Sequence, residues 1–287
     1  MGDFNQVIKN NPAFLKKFIE DQKKEDEKYF REHPDSLIIP FLKELRELGF
    51  EFEHTPQGSG LDTEYKKVII PIVLKYYAEA KRLKIENEQQ YFMGYFYCRG
   101  ADYLVPMLLE DYRSLEATDS VQWDISDCLY TIRAMKYVDE YIELISDKRY
   151  GSNRKMLILL LGERKVEKAI PVLIRLLDDE DVRLHAISAL GCFKREEFRP
   201  YFERYSGERK AGYGKYARQA IKKLDNLKYK FLLVLYDVLF PHIEHLVSFT
   251  SSIVSKLPHF SHSSPLISEP HFGQIPIMYR SAKNNLQ

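Results

Sequence analysis

Apolar residues return along this chain at helical spacing, and they return in units. The clearest mark is an aliphatic–proline step that opens an apolar run. It stands at Ile39-Pro40-Phe41-Leu42, Ile70-Pro71-Ile72-Val73, Val105-Pro106-Met107-Leu108 and Ile170-Pro171-Val172-Leu173, and more weakly at Arg199-Pro200-Tyr201-Phe202. Ile142-Glu143-Leu144-Ile145 fills the gap without the proline, and the successive intervals are 31, 35, 37, 28 and 29 residues. Proline is tolerated in the first turn of a helix, where its missing N–H had no partner anyway. A proline at one place in unit after unit therefore predicts a helix start at each step.

A second helical pattern interleaves with the first. Asp181-Val182-Arg183 leads into Ala186, Ala189 and Leu190 and ends at Gly191. Asn153-Arg154 leads to Ile158, Leu161 and Gly162, and Ala217-Arg218 leads to Ile221 and Leu224. The glycines read as helix ends, and the acidic turn Asp178-Asp179-Glu180-Asp181 reads as a source of N-terminal caps. Each unit is a helix–turn–helix that cannot bury its apolar face alone, so neighbouring units must stack. The predicted fold is all-α: an α-solenoid of stacked antiparallel helix pairs with a non-repeat C-terminal tail.

The stretch AIPVLIRLLDDEDVRLHAISALG, residues 169–191, resembles a HEAT repeat of the short bacterial type also found in phycobilin-lyase-like proteins. The resemblance is specific over about 126–225, degenerate and aromatic-rich over 36–114, and ends near 229. Glu143 in place of proline, an insertion around 116–121 and the long loop 54–63 depart from the pattern. The resemblance implies a superhelix that binds along its concave face. It implies no common chemistry, and no other feature of the chain calls for a tetrapyrrole.

Charge sharpens the domain picture. The chain of 287 residues carries 43 Lys and Arg against 42 Asp and Glu, a balance that argues against a general nucleic-acid coat or a polybasic membrane binder. The average conceals a seam: residues 230–287 hold only Lys230, Asp237, Glu244, Lys256, Glu269, Arg280 and Lys283, with five of the eight histidines and five of the thirteen prolines. Three regions follow: an N-terminal helical cap over 1–35, a repeat array over 36–228, and a charge-poor capping helix and irregular tail over 229–287. For the tail, a helix closing the array, a peripheral membrane contact and a fused or out-of-frame extension all stand open. The apolar run Phe231–Phe240 is too short to span a membrane. The N-terminus lacks the apolar core of a signal peptide, so a cytoplasmic protein is expected, and the resemblance implies a bacterial one.

Candidate chemistry changes this little. Gly58-Ser59-Gly60 lacks the Lys-Ser/Thr of a phosphate loop and reads as a flexible turn. His185 reads as a helix-surface histidine, and Cys98, Cys128 and Cys192, with no CxxC pair, read as buried structural thiols. His242, His245, His259 and His262 form the one metal-like spacing, but they specify no geometry. The expectation is a non-catalytic scaffold without cofactor or metal, binding a protein partner on its concave face. Arg154, Arg183, Lys215, Arg218 and Lys222 are the candidate partner-contacting residues. The alternative is nucleic-acid binding, with a possible resemblance to DNA-alkylation-repair glycosylases. Twelve bases face five acids over 194–230, and Trp123-Asp124 forms an aromatic–carboxylate pair in the acidic stretch 107–127.

Overall fold

A computed structural model describes residues 12–239 apart from 51, 53–54, 59–60, 62, 115–118 and 209–211. The described residues form twelve α-helices, joined by turns and short 3-10 segments. After α1 (Pro12–Glu32) and α2 (Ile38–Glu47) come five helix pairs: α3 (Thr63–Leu83) with α4 (Glu86–Met93), α5 (Val105–Arg113) with α6 (Asp119–Ile132), and α7 (Val138–Ser146) with α8 (Lys155–Glu163), followed by α9 (Ile170–Arg175) with α10 (Arg183–Phe193), and α11 (Arg199–Ser206) with α12 (Tyr213–Leu239).

Second helices pack on second helices: α4 touches α6, α6 touches α8, α8 touches α10 and α10 touches α12. They lie closer to one another than the first helices do, so their row is the tightly packed side of the stack. Gly162 and Gly191 set that closeness. A Cβ on Gly162 would stand 2.4 Å from the Ala189 Cα, and one on Gly191 would stand 3.3 Å from the Ala220 Cβ. These glycines are therefore not helix ends, as the sequence pattern suggested. The chain turns later, at Lys165 (φ 51°) and Lys194 (φ 56°), as it does at Arg133 (φ 61°). Left-handed backbone costs a lysine or arginine more than a glycine.

First helices, and the turns that lead into them, are tied to one another by polar pairs roughly one repeat apart. Lys75 bonds Glu44 at 2.8 Å, Lys81 pairs with Asp111, Arg113 with Glu143 at 3.0 Å, Lys168 with Asp139 at 3.2 Å, and Arg195 with Glu167. Prolines stand in the first turn of α5, α9 and α11, as expected. Pro71 does not: α3 begins at Thr63 and carries Pro71 inside. Burial of Lys66, Ile69 and Ile70 extends that helix N-terminally, and the Lys66 ammonium donates to the Tyr97 carbonyl at 2.8 Å. Gly58 is likewise no loose turn. Its Cβ position is occupied by the backbone of Tyr95 at 2.4 Å, and the neighbouring Pro56 carbonyl accepts bonds from the Tyr91 and Tyr95 hydroxyls.

The boundary expected at 228/229 falls inside α12, which runs unbroken across it. No described helix is long and apolar enough to cross a membrane.

Candidate functional site

The second-helix face brings together residues that lie about one repeat apart in the chain. At its centre stands α6. Trp123, Asp124, Asp127 and Tyr130 are half-buried there, because Val121, Ile125, Cys128 and Leu129 take the opposite, core-facing side. Asp124 accepts a 2.9 Å bond from the Gln90 amide of α4. Tyr130 donates to Glu163 of α8 at 2.7 Å. The Lys155 ammonium of α8 lies 5.9 Å from the Trp123 ring centroid. From α10, His185 comes close enough to feel the Lys155 charge.

Burial governs the electrostatics of this face. It pushes the Asp127 carboxyl up to about 6, reinforced by the neighbouring Asp124 charge and partly offset by Tyr97. Asp124 is also raised by burial, offset by the Gln90 bond. His185 moves the other way, down to about 4, through burial first and the Lys155 charge second. Its Nδ1 is buried with no hydrogen-bond partner. The imidazole is thus neutral at pH 7 and mostly enclosed, not the solvated surface histidine expected from the sequence. The arrangement is a strip of aromatic, acidic, cationic and neutral imidazole groups crossing three successive helices. It offers a partner a flat apolar ring, desolvated acceptors and one cation.

The five residues proposed from the sequence divide. Arg154 contradicts its assignment as a partner contact: it is fully buried. Its guanidinium donates to the Gly151 carbonyl at 2.7 Å, the Ile145 carbonyl at 3.2 Å and Asp179 at 2.9 Å. It is an internal strut, because the neighbouring acidic turn folds over it. Arg183 is half-buried; it donates to the Leu177 carbonyl at 2.7 Å and lies over the rings of Tyr205 and Tyr213. Lys215, Arg218 and Lys222 of α12 are exposed, with Arg218 donating to the Ser206 carbonyl. The acidic turn does not cap α10, as the sequence suggested: Val182 holds the cap position with no side-chain bond, and Asp179 instead accepts from the Asp181 amide within the turn at 3.2 Å.

The helix pairs of α7 to α12 are the part with the most regular repeat, and residues 138–222 match the family of HEAT repeats. This segment is a HEAT-repeat array. Searches of curated proteins and of solved structures return no match. Trp123 and Asp127 lie before the matched segment, on a helix stacked against the first complete HEAT pair.

All three cysteines are free; Cys98 and Cys128 are buried and Cys192 is half-buried, and burial raises each thiol. Among the described residues no group of His, Cys, Asp and Glu is arranged to hold a metal. His242, His245, His259 and His262 lie outside the described residues. Sequence reasoning missed Lys155 and missed Asp127 as a site residue. The signal for Lys155 was the repeat register: Trp123 and Lys155 each stand ten residues before the left-handed residue closing their helix, Arg133 and Lys165.

Proposed function

We propose that the protein is a non-catalytic HEAT-repeat scaffold that docks a protein partner across its second-helix face, centred on Trp123, Asp127, Lys155 and His185. One observation carries the reading. On this face Asp127 is desolvated, the buried Nδ1 of His185 goes unmatched within the chain, and the Lys155 ammonium lies 5.9 Å from the Trp123 ring centroid. Groups held in that state cost stability and fit a surface completed by something else. The half-buried Trp123 ring supplies the kind of anchor around which protein interfaces concentrate their energy.

A nucleic acid fits this face less well. Lys215, Arg218, Lys222 and Lys223 on α12 would attract phosphate, but the strand would then meet Asp124 and Asp127 at the centre. A photo-crosslinking residue at Trp123 tests the choice in intact cells. A single protein adduct, missing when the probe sits at Val68 on the first-helix side, is the expected outcome. Adducts dominated by RNA or DNA, or an identical set from both probes, would sink the reading.

A further inference from the structure

The face of α12 that packs on the array does not end where the array ends. Ala217, Ala220 and Leu224 are buried. The same stripe continues at helical spacing through Leu227, Phe231, Val234 and Leu235, now 42, 67, 61 and 41% exposed. A helix stripe of this kind is a core face awaiting its other half. Its helical partners, α10 and α11, are too short to reach it.

The sequence that follows supplies a matching face. On a helical wheel Ile243, Leu246, Val247, Phe249, Ile253, Val254 and Leu257 fall within an arc of roughly 160°. Glu244, His245, Ser248, Ser251, Ser252, Ser255 and Lys256 fall on the rest, and His242 and Thr250 are the two polar residues inside the apolar arc. Pro241 and Pro258 bracket the segment, and proline stops one helix or opens the next. At ~1.5 Å per residue the stripe from Leu227 to Leu235 runs about 12 Å, and the segment 242–257, about 24 Å as a helix, is long enough to cover it.

We infer that residues 242–257 form a helix that folds back antiparallel on α12, turning at Phe240–Pro241, and covers its exposed apolar stripe. Reversal at that turn sets Leu246 against Leu235, Val247 against Val234, Phe249 beside Phe231 and Val254 against Leu227. Tethering makes this occupant favoured over any partner in solution, because a two-residue link holds it at high effective concentration. The hairpin accounts for the seam in composition. Two helices that bury their faces on one another need few charges, and serine suffices for the exposed arc.

Disulfide trapping in the full-length chain with Cys192→Ser tests it, with Cys98 and Cys128 left buried. Leu235→Cys combined with Leu246→Cys should close an intrachain disulfide under mild oxidation at least tenfold faster than Leu235→Cys combined with Ser248→Cys. Equal rates for both pairs overturn the hairpin. A disulfide between two chains would assign the stripe to a second copy, and flotation of the unoxidised protein with anionic vesicles would assign it to a lipid surface; either overturns it too. A second measurement leaves the array untouched. Phe249→Asp together with Ile253→Asp should speed amide exchange over 227–239 at least tenfold while 155–193 keeps its protection. Unchanged exchange over 227–239 refutes the packing.

Discussion

The two sides of the helix stack use the same residue types in different ways. On the first-helix side, Lys, Arg, Asp and Glu meet across units in exposed pairs such as Arg113–Glu143 and Lys168–Asp139. On the second-helix side, Asp127 and His185 are carried into the surface, and neither takes its ordinary charge behaviour. A solenoid needs neighbour-to-neighbour contacts for stability and only one face for recognition. Ties such as Gln90–Asp124 and Tyr130–Glu163 cross the second-helix side too, so the difference lies in the desolvation of Asp127 and His185 there.

Arg154 is the sharpest test of that division, since it lies on a second helix's N-terminal side yet belongs to the ties. Its side chain is fully enclosed and Asp179 opposite is 11% exposed. Removing one member of a buried, hydrogen-bonded pair costs about 3–5 kcal/mol. Arg154→Ala should therefore lower the denaturation midpoint by the largest margin of the set, read by urea titration. A change below about 1 kcal/mol would mean that Arg154 is not a strut, and its assignment as a partner contact would return.

Trp123→Ala should do the reverse. The ring is half-buried at the surface, so folding loses little, while an aromatic anchor at the centre of an interface is worth about 2 kcal/mol or more. Retention of the protein captured at this face should fall at least about tenfold, with the thermal midpoint nearly unmoved. Loss of fold and binding together would make Trp123 a core residue and remove the contrast between the faces.

The fold was largely legible in the sequence, and the site was not. The aliphatic–proline steps at Pro106, Pro171 and Pro200 located helix starts because a first-turn proline is a local requirement. Pro71 misled for a tertiary reason: buried Ile69 and Ile70 draw the helix back to Thr63. Gly162 and Gly191 could be read as ends or as close contacts, and only the packing against Ala189 and Ala220 separates the two. Arg154 and Arg218 look alike in sequence, each near the start of a second helix. Their fates differ because one meets Asp179 and the other faces solvent. Trp123, Lys155 and His185 converge only once the stagger between successive helices is fixed.

Asp127→Asn probes the cost of the second-helix face directly. Burial raises the folded-state carboxyl to about 6, above its unfolded value, so the folded protein holds a proton that the unfolded chain releases. Stability from this group is then full below pH 4, falls as pH rises through 6, and is absent at pH 7–8. The neutral amide should stabilise the protein by about 1–2 kcal/mol at pH 8 and by nothing at pH 4. His185 has the opposite slope: its folded value near 4 makes stability grow between pH 4 and 6.5. A pH-independent effect of Asp127→Asn would place that carboxylate in water and leave the two faces electrostatically alike.

The smallest effect belongs to Arg113→Ala. Arg113 and Glu143 sit 3.0 Å apart with 36 and 69% of their side chains exposed. Such pairs contribute about 0–1 kcal/mol, because water and salt screen the attraction and two long side chains lose freedom. The same geometric pairing as Arg154–Asp179 should thus give a fraction of its effect, and raising salt to 1 M should erase what remains. If Arg113→Ala matched Arg154→Ala in a urea titration, the first-helix pairs would be structural struts of equal rank. Burial would then no longer decide which charges hold the stack and which stand ready for a partner.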